Sequence, residues 1–87
     1  MVSVQYTDSF LRDARQLSPD TRKLLVRQVD RFRSDPDDPR LHVKQLHGRL
    51  TGTRSFRVTR NFRVLYRTLA RRTFVFLAVD DRKDVYR

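Results

Sequence analysis

The chain has 87 residues, which predicts one small domain over residues 1–87. Twenty Lys and Arg residues against ten Asp residues give a formal net charge of +10, which indicates nucleic acid or an acidic protein segment as a partner. The absence of Cys excludes disulfides and thiolate chemistry, and without a signal peptide or an apolar run of membrane-spanning length we expect a cytoplasmic protein with no membrane partner, no metal and no other cofactor.

The first 17 residues predict a strand followed by a helix. Residues 2–6 alternate between polar and apolar side chains, which is typical of a strand with two different faces. Phe10, Ala14 and Leu17 then fall at positions i, i+4 and i+7. This spacing predicts an amphipathic helix over residues 8–17.

A second helix is predicted to begin at Pro19. Ser18 is a preferred N-cap residue, and proline is favoured at the first helical position. The predicted apolar stripe of this helix, which extends to about residue 34, consists of Leu24, Leu25, Val29 and Phe32. Two prolines within residues 35–40 end the helix, and residues 41–50 lack a clear period, which indicates a loop or a short turn of helix.

Residues 52–67 carry arginines threaded through an alternating apolar pattern, which predicts a β-hairpin. Residues 59–61 form a short polar break that contains Asn, a residue that tolerates positive φ, so we predict a three-residue loop. The predicted cross-strand pairs are Val58–Phe62, Arg57–Arg63 and Phe56–Val64. A two-residue loop would mix the polar and apolar faces, which favours the three-residue loop.

The predicted pair of Arg57 and Arg63 points to an anion. Like charges directly opposite each other destabilise a sheet. A sheet face that tolerates this arrangement is therefore expected to bind an anion, and nucleic acid is the most abundant polyanion in a cell.

The last predicted strand completes the sheet. Residues 73–79 are apolar except for the first, which predicts a strand buried on both faces in the middle of the sheet, followed by a polar tail over residues 80–87. The predicted order is β-α-α-β-β-β. This is an α+β fold in which an antiparallel helix pair covers one face of a small, mainly antiparallel sheet and leaves the other face polar.

Four segments in this order resemble the RelE/ParE superfamily of bacterial toxin–antitoxin toxins, and together they cover essentially the whole chain. The segments are the amphipathic start from Phe10 to Leu17, the D-P-x-x-P break with a K-x-L-x-G motif at Lys44, Leu46 and Gly48, the G-x-x-S-F-R-V and F-R-V-L-Y strands within residues 52–66, and the R-K-D-V-Y-R tail over residues 82–87.

The resemblance implies a toxin that is neutralised by a cognate antitoxin, for which we expect an acidic amphipathic segment. RelE-like members of the superfamily enter the ribosomal A site and cleave mRNA without a metal, whereas ParE-like members block DNA gyrase and are not nucleases. We favour the mRNA endonuclease, which inhibits translation. A ParE-like gyrase inhibitor and an inactive toxin-derived binding protein remain the alternatives.

The resemblance also implies site residues. Arg63 matches an arginine that contacts the scissile phosphate, Arg57 matches a basic residue that assists it, and Arg82 and Tyr86 match the arginine and tyrosine of the C-terminal element. Lys44 occupies the position at which some RelE-like toxins carry a glutamate base, and it is a candidate base or phosphate contact. Further candidate RNA contacts are Arg54, Arg60, Arg67, Lys83 and Arg87.

Two departures from the family pattern concern proton transfer. The tail histidine of other members is matched here by Asp81 or Arg82. Histidine is a common proton-transfer residue, but His42 and His47 match no catalytic position of the family, so they are expected to be exposed loop residues.

Overall fold

Two helices pack on a five-stranded mixed sheet in the computed structural model, which describes residues 1–81. The helices are α1 (Asp8–Gln16) and α2 (Pro19–Ser34), and the strands are β1 (Ser3–Tyr6), β2 (Lys44–Gln45), β3 (Arg54–Arg57), β4 (Phe62–Ala70) and β5 (Thr73–Asp81). The strand order is β1-β5-β4-β3-β2, with β1 parallel to β5 and the other pairs antiparallel. The predicted α+β fold is confirmed. Neither helix within residues 1–81 is long and apolar enough to span a membrane.

The helix boundaries follow from the capping residues. The Thr7 hydroxyl accepts a hydrogen bond from the backbone N–H of Phe10 at the start of α1, and Ser18 caps α2 in the same way. The guanidinium of Arg22 donates hydrogen bonds to the carbonyls of Arg15 and Leu17 at 2.8 and 3.0 Å. Arg22 therefore satisfies carbonyls that the end of α1 leaves free and ties the two helices together.

Phe32 of α2 is the centre of the core. Its side chain is fully buried, and its ring centroid lies 4.9 to 5.3 Å from four aromatic rings of the sheet. These rings belong to Phe56, Tyr66, Phe74 and Phe76. The prediction that Leu24 joins the apolar stripe is wrong, because Leu24 is 38% exposed at the edge of the stripe. The buried polar residue Gln28 lies within the stripe instead.

The last strand, β5, lies between β1 and β4, but it is not buried on both faces as predicted. Phe76 and Val79 are buried and its other residues are half-buried, because the helices cover only one side of the sheet. Phe76 and Val79 are three residues apart, and a regular strand would turn them to opposite faces. The ladder shifts by one residue at Leu77, and this bulge lets both side chains reach the core.

The segment between α2 and the hairpin contains a strand that the sequence did not predict. Single 3₁₀ turns form at Pro39–Leu41 and Gly48–Leu50, and between them β2 pairs with Ser55 and Arg54 of β3. A strand of two residues is too short to produce a period. It nevertheless places Lys44 on the edge of the sheet beside the hairpin.

Candidate nucleic-acid interface

The hairpin displays two arginines on the face of the sheet opposite the helices. Arg57 pairs with Arg63 and Phe56 with Val64, and the Val58 N–H donates to the carbonyl of Phe62 at 2.9 Å. The predicted register is therefore confirmed. Because Phe56 and Val64 are fully buried, the alternation of the strands turns the neighbouring arginines to the open face.

A shallow hollow on the open face brings together several of the predicted site residues. Its cationic or titratable lining residues are His42, Lys44, Arg57, Arg60 and Arg63. We call it the basic hollow. No carboxylate lines it within residues 1–81. Such a group of positive charges attracts a phosphate and stabilises the additional negative charge that a phosphate acquires during cleavage.

Asp80 of β5 is a partner of Arg63 that the sequence analysis did not identify. It lies directly across the sheet from Arg63, and its Oδ2 accepts from the Arg63 Nη2 and Nε at 3.2 and 3.3 Å. Arg57 on β3, Arg63 on β4 and Asp80 on β5 therefore form a row of charges across three strands, in the order positive, positive, negative. Asp80 offsets the repulsion between Arg57 and Arg63, so the argument that this pair requires a bound anion is weaker than the sequence suggested.

The short turn between β4 and β5 would have allowed the pairing of Arg63 with Asp80 to be predicted from the sequence. If residues 71–72 are taken as a two-residue turn, Ala70 pairs with Thr73, and counting outward from this pair sets Arg63 opposite Asp80. The two irregularities in the ladder cancel by the time it reaches this pair.

Arg57 differs from Arg63 in its surroundings. Its side chain is exposed, and within residues 1–81 its guanidinium makes no hydrogen bond or ion pair. Arginine offers five donors in a planar fork that fits two oxygens of a phosphate. Arg57 is therefore available to a ligand in this part of the protein, whereas Arg63 is already oriented by Asp80.

The structure separates Arg54 and Arg67 from the basic hollow. Arg54 pairs with Tyr66 on the helix-covered side of the sheet, where burial raises the pKa of the Tyr66 hydroxyl and the nearby Arg54 guanidinium opposes that shift. Arg67 lies on the open face about 13 Å along β4 from Arg63, as four residues of strand dictate. Its Nε donates to the Thr53 hydroxyl at 3.1 Å. Both residues remain predicted RNA contacts, but neither adjoins the hollow.

Of the two loop histidines, only His42 lines the basic hollow. His42 is exposed, as expected, but it also lines the basic hollow, with a positive φ of 48° that ends the preceding 3₁₀ turn. His47 is exposed and does not line the hollow. The tail candidates Arg82, Lys83, Tyr86 and Arg87 lie outside the described residues. Within residues 1–81 no group of three or more His or Asp side chains is placed to hold a metal ion.

Solved structures from several microorganisms share this fold. A chain of the toxin–antitoxin complex RelBE2 from Mycobacterium tuberculosis is 31% identical, with a TM-score of 0.75 over 93% of this chain and 98% of that chain. A chain of the archaeal RelE–RelB complex from Pyrococcus horikoshii is 17% identical, with a TM-score of 0.75 over 93% and 94% of the two chains. A YoeB/ParE toxin from Agrobacterium tumefaciens is 16% identical, with a TM-score of 0.74 over 91% and 96%.

No protein-family model matches the sequence, and no curated protein does. The similarity is therefore carried by the solved structures. Of the three described above, the relative from M. tuberculosis is similar in sequence as well as in fold.

Proposed function

This chain belongs to the RelE/ParE superfamily of toxin–antitoxin toxins, and from that premise we propose that it is a ribosome-dependent mRNA endonuclease that inhibits translation. The reaction is attack of a ribose 2′-OH on the adjacent phosphorus. The P–O5′ bond breaks, so one product carries a 2′,3′-cyclic phosphate and the other a 5′-OH. A base takes the 2′-OH proton, and an acid protonates the leaving oxygen.

The observation that carries the proposal is the basic hollow. Arg57 and Arg63 extend from adjacent strands of a rigid sheet, and Lys44 approaches from the edge strand. In the proposed reaction Arg63 binds the scissile phosphate and Arg57 stabilises the charge that develops on its oxygens. The strands fix the backbone positions of both arginines, and Asp80 also orients the Arg63 guanidinium, which favours a defined geometry at the phosphate.

The proton-transfer roles are assigned to Lys44 and to the tail. Lys44 is the candidate base or a second phosphate contact, and Tyr86 and Arg82 are the candidates for protonating or stabilising the leaving oxygen. Within residues 1–81 the hollow offers no carboxylate base. We therefore propose that the ribosome orients the 2′-OH for attack, and that the free protein cleaves naked RNA poorly.

The absence of a carboxylate from the lining of the hollow within residues 1–81 also favours a second candidate, a ParE-like gyrase inhibitor that performs no chemistry. The two functions separate in cells. An endonuclease stops protein synthesis before DNA synthesis, and the mapped 5′ ends of cellular mRNA show new cuts in translated regions soon after induction. A gyrase inhibitor produces DNA breaks and an SOS response first, with intact mRNA. That second result would replace the endonuclease proposal.

A purified system tests the chemistry directly. The protein is mixed with ribosomes carrying a defined mRNA, and the same mRNA without ribosomes is the control. We expect cleavage in the A site of the ribosome-bound mRNA, with a 2′,3′-cyclic phosphate end, and far slower cleavage of the free mRNA. Equal, multiple-turnover cleavage of both would contradict ribosome dependence.

We also propose that the partner is an antitoxin with an acidic amphipathic segment. Two hollows on the outer side of the helices share Arg22 and are lined by exposed apolar groups, among them Leu11 and Val26, together with the cations Arg15 and Lys23. Apolar and acidic side chains on one helix would match this surface, and the net charge of +10 would speed their encounter. The association rate should fall steeply as salt rises, and a rate independent of salt would contradict the electrostatic part of this proposal.

A further inference from the structure

The most completely hydrogen-bonded buried polar side chain among residues 1–81 lies beneath the basic hollow. Gln28 of α2 is only 7% exposed, although it lies in the middle of an apolar stripe. Its Nε2 donates to the backbone carbonyl of Arg57 at 2.6 Å and to that of Arg40 at 3.2 Å. Its Oε1 accepts from Arg31 Nη1 at 2.5 Å.

The orientation of the Gln28 amide is fixed by its partners. A guanidinium can only donate, and a carbonyl can only accept. The Oε1 atom must therefore face Arg31, and the two N–H groups must face the carbonyls of Arg57 and Arg40. Every bonding group of the amide is directed at a different segment, and no buried side-chain polar atom within residues 1–81 lacks a partner.

The backbone carbonyl of Arg57 needs this donor because the edge strand β2 ends before it reaches Arg57. The edge strand β2 pairs with β3 only at Ser55 and Arg54, so the backbone of β2 does not continue alongside Arg57. In an antiparallel ladder the carbonyls alternate between the two sides of the strand. Gln28 supplies from the helix the hydrogen bond that a longer edge strand would have supplied.

The second carbonyl belongs to the 3₁₀ turn that leads into His42 and Lys44. Leu41 of that turn is fully buried, and the turn ends at His42. One side chain thus connects the strand that carries Arg57 with the segment that carries Lys44. We propose that Gln28 is a positioning residue that sets the separation between Arg57 and Lys44 across the basic hollow. Its effect on cleavage rests on the proposed endonuclease function.

The nearly isosteric variant Gln28→Met tests this role. Methionine fills the same space but donates no hydrogen bond. Val29→Ala, on the same helix and only partly buried, is the matched control for a change in helix packing. Under conditions in which both variants are folded, we expect Gln28→Met to lower the maximum rate at saturating ribosomes about 10- to 100-fold, because a misplacement of about 1 Å can cost about 100-fold in rate. Val29→Ala should retain its maximum rate.

Amide chemical shifts provide a readout that does not depend on cleavage. In Gln28→Met the shifts should change in residues 39–44 and 57–63, and in Val29→Ala they should not. If wild-type protein fails to cleave but these shifts change, the endonuclease proposal fails and the positioning role stands. If Gln28→Met does not fold, Arg31→Met removes one of the three partners that orient the amide and should give the same pattern at smaller amplitude. Shift changes confined to α2, or an unchanged maximum rate in an active protein, would overturn the inference.

Discussion

Replacement of Arg63 with alanine should remove activity while leaving the fold intact, because the two effects differ in size. The Arg63–Asp80 pair has an N–O distance of 3.2 Å, with side chains 22% and 28% exposed. Solvent-accessible ion pairs typically contribute about 0.2 to 1 kcal/mol to stability, and this pair is only partly buried. The loss of one electrostatic contact to a transition state costs about 2.7 to 4 kcal/mol, or roughly 100- to 1,000-fold in rate.

The assay is single-turnover cleavage of ribosome-bound mRNA, with urea unfolding measured in parallel. Arg63→Lys should recover only part of the rate, because an ammonium group does not reproduce the planar fork of a guanidinium. Arg71→Ala is the matched control, since Arg71 is an exposed arginine in the turn between β4 and β5. A folded Arg63→Ala protein that cleaves at the wild-type rate, beside an inactive Arg71→Ala protein, would place the active site on another surface.

Three further predictions concern Asp80, Phe32 and Tyr66. Asp80→Asn should tighten RNA binding in low salt and lower the urea midpoint slightly, because it removes the charge that offsets Arg57 and Arg63; weaker binding would contradict this. Phe32→Ala should cost about 3 to 5 kcal/mol of unfolding free energy, enough to leave a small domain largely unfolded, and a cooperative urea transition near the wild-type midpoint would contradict the assigned core. The raised pKa of Tyr66 stabilises the fold at pH values below the ordinary tyrosine pKa of about 10, and this stabilisation should be lost as the pH rises through the higher folded-state pKa. Tyr66→Phe should reduce the loss of stability in alkaline solution, and an unchanged pH profile would refute that assignment.

The hairpin could be predicted in detail because its information is local. Alternation identifies the two faces, and a three-residue break leaves one register that keeps Phe56 and Val64 on the same side. The ladder between β4 and β5 was harder to predict, because residues 74–79 are uniformly apolar and do not reveal which side chains face the core. The bulge at Leu77 brings Phe76 and Val79 to the same side of the sheet, where Phe76 packs against Phe32, a residue distant in sequence.

The sequence predicted the cations of the candidate site but not the residues that hydrogen-bond to them. Arginines at alternating positions are visible in the sequence, but Asp80 becomes relevant only when β5 lies beside β4. Gln28 interrupts an apolar stripe, three residues after Leu25 and four before Phe32, so its spacing indicated a buried position. What the spacing could not indicate was its partner, because the carbonyl of Arg57 becomes available only where the short strand β2 ends.

The parallel pairing of β1 with β5 has a consequence for synthesis of the protein. Ser3 pairs with Thr73, and the Thr7 hydroxyl donates to the carbonyl of Leu77. The first strand therefore cannot pair until the ribosome has translated a partner strand 70 residues later. Contacts that distant in sequence form late and slowly. A nascent chain stopped before residue 73 can therefore complete neither the sheet nor the row of charges that includes Asp80. On this basis, a ribosome that has not yet translated residues 73–81 carries an unassembled site, which leaves time for the proposed antitoxin to bind the chain as it folds.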